Sequence, residues 1–391
     1  MNASKKVEFR TSLVSILACL VFGIAAFVSV TPAKGDKPVP PPPPLPPVKY
    51  LVTWLDSLGR TDVITGDVNS LGQVVGEARN LSADGTAYVN RTAFVYDPSL
   101  DFAIDGLVDG DVCDLNVLTP VLGWTLRQAW GINELSQIVG SAQNNTTGES
   151  RGFVINAAWN ECVLLPSPIP SHPSGQYAKR INNFGDVLAM EGGGWITAYT
   201  WNGTSNTYDV TGSWQQNSTS TAFNDFGQIL LVNGQRYTPG TGWTNFATTY
   251  GINFAMGMNN SGMFVGGRSV GRTRYCFRFT DPNQMFDIAQ GVRATSDINA
   301  DGDVCLMPGG GSRGSIYTNH DGLLALDNMV DGTVGNVANW KNAVITYTEA
   351  MSDDVVFPPN TGFGFICGRG VFSTKGSSIS TTKAYLLTPH Q

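Results

Sequence analysis

Apolar and polar positions in this chain fall into a short pattern that recurs. An apolar residue is followed by Asn, two variable residues, Gly, one polar residue, and then two or three apolar residues. The first copy is Val68-Asn69-Ser70-Leu71-Gly72-Gln73-Val74-Val75-Gly76, and further copies begin at Ile132, Ile181, Phe223, Met258 and Ile298. A seventh is degenerate: Met351-Ser352-Asp353-Asp354, an interrupting VVFPPNT, then Gly364-Phe365-Ile366-Cys367-Gly368. Asn that bonds its own backbone, with Gly three places later to accept positive φ, is turn chemistry. Apolar runs on both sides turn each copy into a tight hairpin. Ser136 replaces Gly in the second copy, so that turn is expected to be distorted or of another type.

Each hairpin is followed by a third segment carrying an aromatic residue, at 92–96, 151–154, 198–201, 235–238, 276–279, 314–317 and 383–387. A fourth follows at 102–104, 163–165, 208–210, 286–288 and 324–327. The unit is therefore four short strands. The key Asn residues are 64, 49, 42, 35 and 40 apart, with 54 more to Asp353. Four strands in this pitch match a propeller blade, and one blade must pack against its neighbours to bury both faces. The predicted fold is all-β, a propeller of about seven four-stranded repeats, with six blades or an irregular ring as the alternative. The chain ends on a third strand, and residues 50–56 form an orphan fourth strand at the start. That first strand is expected to complete the last blade and close the ring.

The copies resemble the HAF repeat, an extracellular-repeat family whose units run A-x-x-I-N-x-x-G-x-V-V-G, then H-A-F-L-W, then D-L-G. Ala129-Trp130-Gly131-Ile132-Asn133 and Ala178-Lys179-Arg180-Ile181-Asn182 carry the first part, Leu55-Asp56-Ser57-Leu58-Gly59 the last, and Lys383-Ala384-Tyr385-Leu386-Leu387-Thr388-Pro389 the ending. The resemblance covers about residues 50–389. It implies an exported β-repeat domain and assigns no reaction. The His of H-A-F is absent: its place is taken by Thr92, Arg151, Thr197, Gln235, Tyr275 and Lys383.

The remaining sequence concerns export. Lys5, Lys6 and Arg10 precede an uncharged run from Leu13 to Val30, long for a signal-peptide core and short for a membrane span. Residues 1–33 are read as a signal peptide, cleaved after Ala33, or as a retained anchor. Cys19 follows Ile16-Leu17-Ala18 in the outline of a lipoprotein box, but the apolar run continues well beyond it. Residues 34–48 form a Pro-rich linker, an extended spacer. The domain proper is 49–391.

Composition narrows the chemistry. Charged residues are 14% of the chain and Gly numbers 45, which excludes a helical bundle or coiled coil. A net charge of −7 disfavours nucleic acid as a partner. Among only three histidines, His172 lies between prolines and His390 is next to last, so no Ser-His-Asp relay is expected. No zinc spacing occurs. Cys113, Cys162, Cys276, Cys305 and Cys367 show no disulfide framework, and the last three read as buried thiols. Residues 297–303 match the opening of a calcium loop, but Pro308 occupies the closing position, and the repeat already explains Asn299 and Gly302. Asp101, Asp105, Asp109, Asp111 and Asp114 form an acidic stretch, read as a solvated loop. Sequons occur at Asn80, Asn90, Asn144, Asn145, Asn202 and Asn217.

A glycosidase needs two facing carboxylates. Asp67 and Asp297 both immediately precede the apolar-Asn step and would line a propeller axis. They are the one opening for a hydrolase. No catalytic, cofactor-binding or metal residue is designated and no cofactor is expected. The reading is an exported, non-catalytic module at the cell surface or outside the cell. Its partner is an unidentified protein or polysaccharide; it meets a membrane only through an N-terminal anchor. The alternatives are a secreted carbohydrate-active hydrolase using channel Asp residues and a calcium-stabilised adhesion domain.

Overall fold

The asparagine bends start the sheets. Asn69 Oδ1 accepts the backbone N–H groups of Leu71 and Gln73, each at 3.1 Å, and Gly72 closes the bend at φ +76°. The bend sets Val68 opposite Val74, so the apolar runs on either side become paired strands. The computed structural model describes residues 49–84, 86–100, 111–167, 175–216, 218–280, 284–291, 294–307, 314–319, 321–330, 340–352, 364–374 and 380–390. The N-terminal segment, the Pro-rich linker, residues 102–104, His172 and His320 lie outside them.

Seven four-stranded antiparallel sheets form. From the inner strand outward, blade 1 is Asp62–Val68, Val74–Leu81, Tyr88–Asp97 and Asp111–Asp114. Blade 2 is Trp124–Ile132, Ile138–Asn144, Ser150–Ile155 and Cys162–Leu164. Blade 3 is Tyr177–Ile181, Val187–Glu191, Trp195–Asn202 and Thr207–Gln215. Blade 4 is Ser220–Phe223, Ile229–Leu231, Gln235–Thr238 and Gly242–Asn245. Blade 5 is Ile252–Met258, Phe264–Val270, Thr273–Thr280 and Gln284–Gln290. Blade 6 is Ala294–Ile298, Val304–Met307, Ser315–Thr318 and Gly322–Ala325. Blade 7 is Trp340–Met351, Ile366–Thr374 and Ser380–His390, with Lys49–Trp54 as its outer strand. The N-terminal strand pairs with the last strand from Lys49↔His390 to Trp54↔Tyr385. The protein is thus a seven-bladed propeller, not six-bladed, and its first strand closes the ring.

A coupled pair of positions explains the recurring V-V-G and its aromatic partner. Gly76, Gly140, Gly266 and Gly368 lie opposite Phe94, Phe153, Phe277 and Tyr385 on the third strands. All four aromatics are fully buried. A Cβ on Gly140 would sit 2.0 Å from the Gln128 carbonyl oxygen and 2.6 Å from the Phe153 ring. Only a bare backbone lets the ring lie flat across the second strand. In blade 3, where Ala189 replaces Gly, the facing residue is Thr197.

The structure departs from the sequence reading in three places. Ser136 is not distorted. It takes φ +63° beside glycines at +70° to +86° in the matching bends, and its N–H bonds Asn133 O at 3.0 Å, as Gly72 does with Asn69 O. The left-handed conformation costs a non-glycine residue about 1 kcal/mol, and the Ser136 hydroxyl offsets it by donating to Gln73 Oε1 at 2.7 Å. The outer strand of blade 1 is Asp111–Asp114, so part of the acidic stretch is a strand. Blade 4 has an outer strand, Gly242–Asn245, that the hydrophobic pattern missed because it carries one apolar side chain. Short helices follow three outer strands, at Leu115–Leu118, Phe246–Tyr250 and Leu326–Met329. Cys276, Cys305 and Cys367 are buried thiols, and Cys113 and Cys162 are also unpaired. Among the described residues no helix is long and apolar enough to cross a membrane.

Candidate functional site

The inner strands surround the axis and all run toward the asparagine bends. Each bend Asn reaches one blade further. Nδ2 of Asn69, Asn133, Asn182, Asn224 and Asn259 donates to the backbone oxygen of the next key Asn, at 3.1, 2.9, 3.5, 3.1 and 2.8 Å. The following residue repeats the device. The backbone N–H groups of Ser70, Glu134, Asn183 and Asp225 donate to the side chains of Glu134, Asn183, Asp225 and Asn260. Two concentric tiers of hydrogen bonds therefore stitch blade to blade. The motif residues that close each hairpin also hold the ring, and each buried amide is satisfied on both sides.

Two residues before each Asn, the side chains face the axis. Asp67 accepts from its neighbour Val68 N at 3.0 Å and from Ile132 N, in the next blade, at 3.2 Å. Asp297 does the same with Ile298 N at 2.9 Å and Met351 N at 3.2 Å. Arg180 stands at the matching position of blade 3 and donates to Thr221 O at 2.9 Å, with weaker bonds to Trp130 O and Lys179 O. Burial pushes Asp67 up to about 6, against the attraction of Arg180. Burial, with Asp67 adding repulsion, pushes Asp297 up to about 7. Burial and the neighbouring Arg180 pull the Lys179 ammonium down to about 8. The axis thus brings together the two aspartates that the sequence singled out. Both are partly protonated near neutrality, so they could pass a proton. The space beside Asp297 at the asparagine end is a cavity of about 150 Å³, walled by Glu134, Asn183, Asp225 and Asn260 among others. That is below the usual range for organic ligands.

More room lies at the opposite face, where the inner strands begin and where the bends joining second to third strands emerge. A cavity of about 430 Å³ is lined by Arg91, Arg127, Trp130, Tyr177, Gln176 and Glu191 among others. It shares Tyr177 and Glu191 with a neighbour of about 740 Å³ that extends over Ser218, Thr219, Val232 and Asn233. It shares Arg91 with a third of about 420 Å³ beside Arg60 and Trp124. Together they form a groove across blades 1 to 4. The Trp130 and Tyr177 rings lie 6.4 Å apart in its wall. Glu191 is held by Gln176 Nε2 at 3.3 Å and by the Tyr199 hydroxyl at 3.0 Å, both on Oε1. Arg91 is paired with Glu77. Among the described residues Arg127 hydrogen-bonds Gln143 Oε1, at 2.6 Å, and feels the charges of Glu77 and Arg91.

No family model matches the chain. No curated protein matches it either. Similarity appears among solved structures. The β-propeller domain of the trilobed protease from Pyrococcus furiosus superposes with a TM-score of 0.51 at 8% identity, covering 88% of this chain and 97% of that one. That domain is described as having an open velcro topology, whereas here the first strand pairs with the last. An acylaminoacyl peptidase superposes with a TM-score of 0.50 at 8% identity, covering 88% of this chain and 52% of that one. At this identity the likeness is one of fold.

The other sequence candidates disperse. In the calcium-like segment, Asp297 joins two blades, Asn299 Oδ1 caps its bend by accepting from Asp303 N at 2.8 Å, and Asp303 accepts from Asn319 N at 3.2 Å. Asp114 caps a helix and binds Thr92, while Asp101, Asp105 and Asp109 lie outside the described residues. Asn80 accepts from Thr61 N and Asn144 from Thr146 N at the exposed ends of second strands. Among the described residues no group of three or more His, Cys, Asp or Glu is placed to hold a metal. The groove residues went unnoticed in the sequence. Trp130 occupies a variable place of A-x-x-I-N and Tyr177 stands just before that motif in blade 3, so the side chains that matter there are the ones a repeat pattern discards.

Proposed function

We propose that this chain is an exported, non-catalytic binding propeller of the HAF-repeat kind that takes a polysaccharide strand in the groove opposite the asparagine bends. One observation carries the reading: the groove combines aromatic faces with unsatisfied polar groups in a space of several hundred Å³. A sugar ring offers apolar C–H faces, which pack on aromatic rings, and hydroxyls, which need partners when water is displaced. Trp130 and Tyr177 supply the faces. Glu191 Oε2, the Tyr177 hydroxyl and the open donors of Arg127 supply the partners, none of them committed elsewhere among the described residues. The seven-bladed ring supports this use, because residues from blades 1 to 4 converge on one face. The basic, then apolar, then proline-rich N-terminus supports export.

The test is retention of the full chain on immobilised polysaccharides. Tyr177→Ala is expected to weaken retention about tenfold, since stacking and a hydroxyl contact are lost together. Absence of retention on every polysaccharide, or retention indifferent to Tyr177→Ala, contradicts the reading. A second reading, a hydrolase working through Asp67 and Asp297, is favoured by one observation, their displacement to about 6 and about 7. Against it, both carboxylates already accept two backbone N–H groups each. New reducing ends in the same incubation, abolished by Asp297→Asn, would favour the hydrolase.

A further inference from the structure

We infer that the groove selects an anionic polysaccharide, one bearing carboxylate or sulfate groups, and holds those groups at the blade 1–2 end through Arg127 and Arg60. The inference rests on the groove being the polysaccharide site and adds the class of polymer and its direction.

The charges along the groove are unevenly placed. Arg60 and Arg91 line one cavity, and Arg91 and Arg127 the next. Arg91 is neutralised by Glu77, which it meets through two nitrogens. Arg127 also feels Glu77 and the like charge of Arg91, so one carboxylate serves two guanidiniums; its own hydrogen bond among the described residues goes to the neutral amide of Gln143, and no carboxylate ion pair holds Arg60 among the described residues. Asp114, which shares that cavity wall with Arg60, already accepts from the Thr92 hydroxyl at 2.7 Å and from Asn116 N at 2.8 Å and Nδ2 at 2.9 Å. Glu191, the acid toward the other end, lies at the blade 3–4 side. A chain laid along the groove therefore meets three guanidiniums, set against only Glu77 and Asp114, at one end and a carboxylate at the other.

In a protein of net charge −7, this local excess is not a consequence of general basicity. Guanidinium presents a planar fork that matches carboxylate and sulfate oxygens. A half-buried guanidinium without an anion is unsatisfied until one arrives, which makes it a recognition element. Nucleic acid is the less suitable polyanion, because two guanidiniums cannot offset repulsion of a phosphate chain by the rest of an acidic molecule.

The experiment compares binding of the full chain to a polyuronate, a sulfated galactan, a neutral glucan of similar length and a single-stranded oligonucleotide. An acidic glycan is expected to bind about tenfold or more tightly than the neutral glucan, the worth of one charge-assisted contact. That advantage should fade as salt rises, a readout that needs no variant. Arg127→Gln with Arg60→Gln should lower acidic-glycan binding to the level the same variant shows for the neutral glucan; an acidic-glycan advantage that survives both substitutions overturns the inference. Arg268→Gln, at the remote Arg268–Asp287 pair, should change nothing. The uronate and sulfate arms separate the two sources of charge. Equal binding of neutral and acidic glycans overturns this inference and leaves the polysaccharide reading standing. Oligonucleotide binding as tight as that of the acidic glycan also overturns it. Binding to none of the four overturns both.

Discussion

Asp67 and Asp297 each bond two blades with one carboxylate, and both are held above the ordinary carboxylate range by burial. In the unfolded chain they titrate near 3.9. The folded protein therefore holds protons that the unfolded chain has released, between about pH 4 and about pH 7. Stability falls as pH rises through that window and levels off above it. The expected size is on the order of a few kcal/mol for the pair. Urea unfolding of wild type and Asp297→Asn at about pH 5 and about pH 8 checks this: the variant should show the smaller loss between the two pH values. An equal or larger loss in the variant contradicts it. This carboxyl pair was legible in the sequence as a position, since both residues stand two places before a repeat Asn. That one oxygen of each is occupied by a neighbouring blade was not legible, because the donor is 65 residues away from Asp67 and 54 from Asp297.

At the scale of the element, the hairpin bend is also the joint between blades. Asn133 Oδ1 accepts from Leu135 N at 3.1 Å and Gln137 N at 2.9 Å, while Nδ2 donates to Gln137 Oε1 at 2.8 Å and Asn182 O at 2.9 Å. Asn133→Ala should cost about 2–4 kcal/mol, since it strands buried backbone groups in two blades. Asn133→Asp, which keeps the acceptors and loses the donor, should fall between. Equal denaturation midpoints for Asn133→Asp and wild type would limit the side chain to its own turn. Turn chemistry is local, so the bends could be read from residues within ten positions of each other, and the aromatic third strands and the blade number from the recurrence of that cassette along the chain. Blade 4 defeated that reading because Gly242–Asn245 offers a single apolar side chain, Trp243, opposite Tyr237, too few to show as an apolar run. Ser136 defeated it because a hydroxyl bond to Gln73, one blade away, holds a conformation that glycine holds elsewhere.

At the scale of the whole molecule, ring closure decides where function can sit. Stitched asparagines fill one end of the axis and leave about 150 Å³ there, while the opposite face keeps cavities of about 430 and 740 Å³. Arg127, Tyr177, Glu191 and Asn233 belong to three blades and reach one groove only after the blades pack. No spacing along the chain announces that convergence, which is why the fold was far more legible than the site. Hydrogen exchange of the full chain with and without an acidic polysaccharide tests the account most directly. The account predicts added protection at the start of the blade 2 and 3 inner strands, residues 124–130 and 175–178, and at the bends 191–195 and 231–235. Protection centred instead on the asparagine bends at 69–72, 133–136 and 182–185 would contradict it.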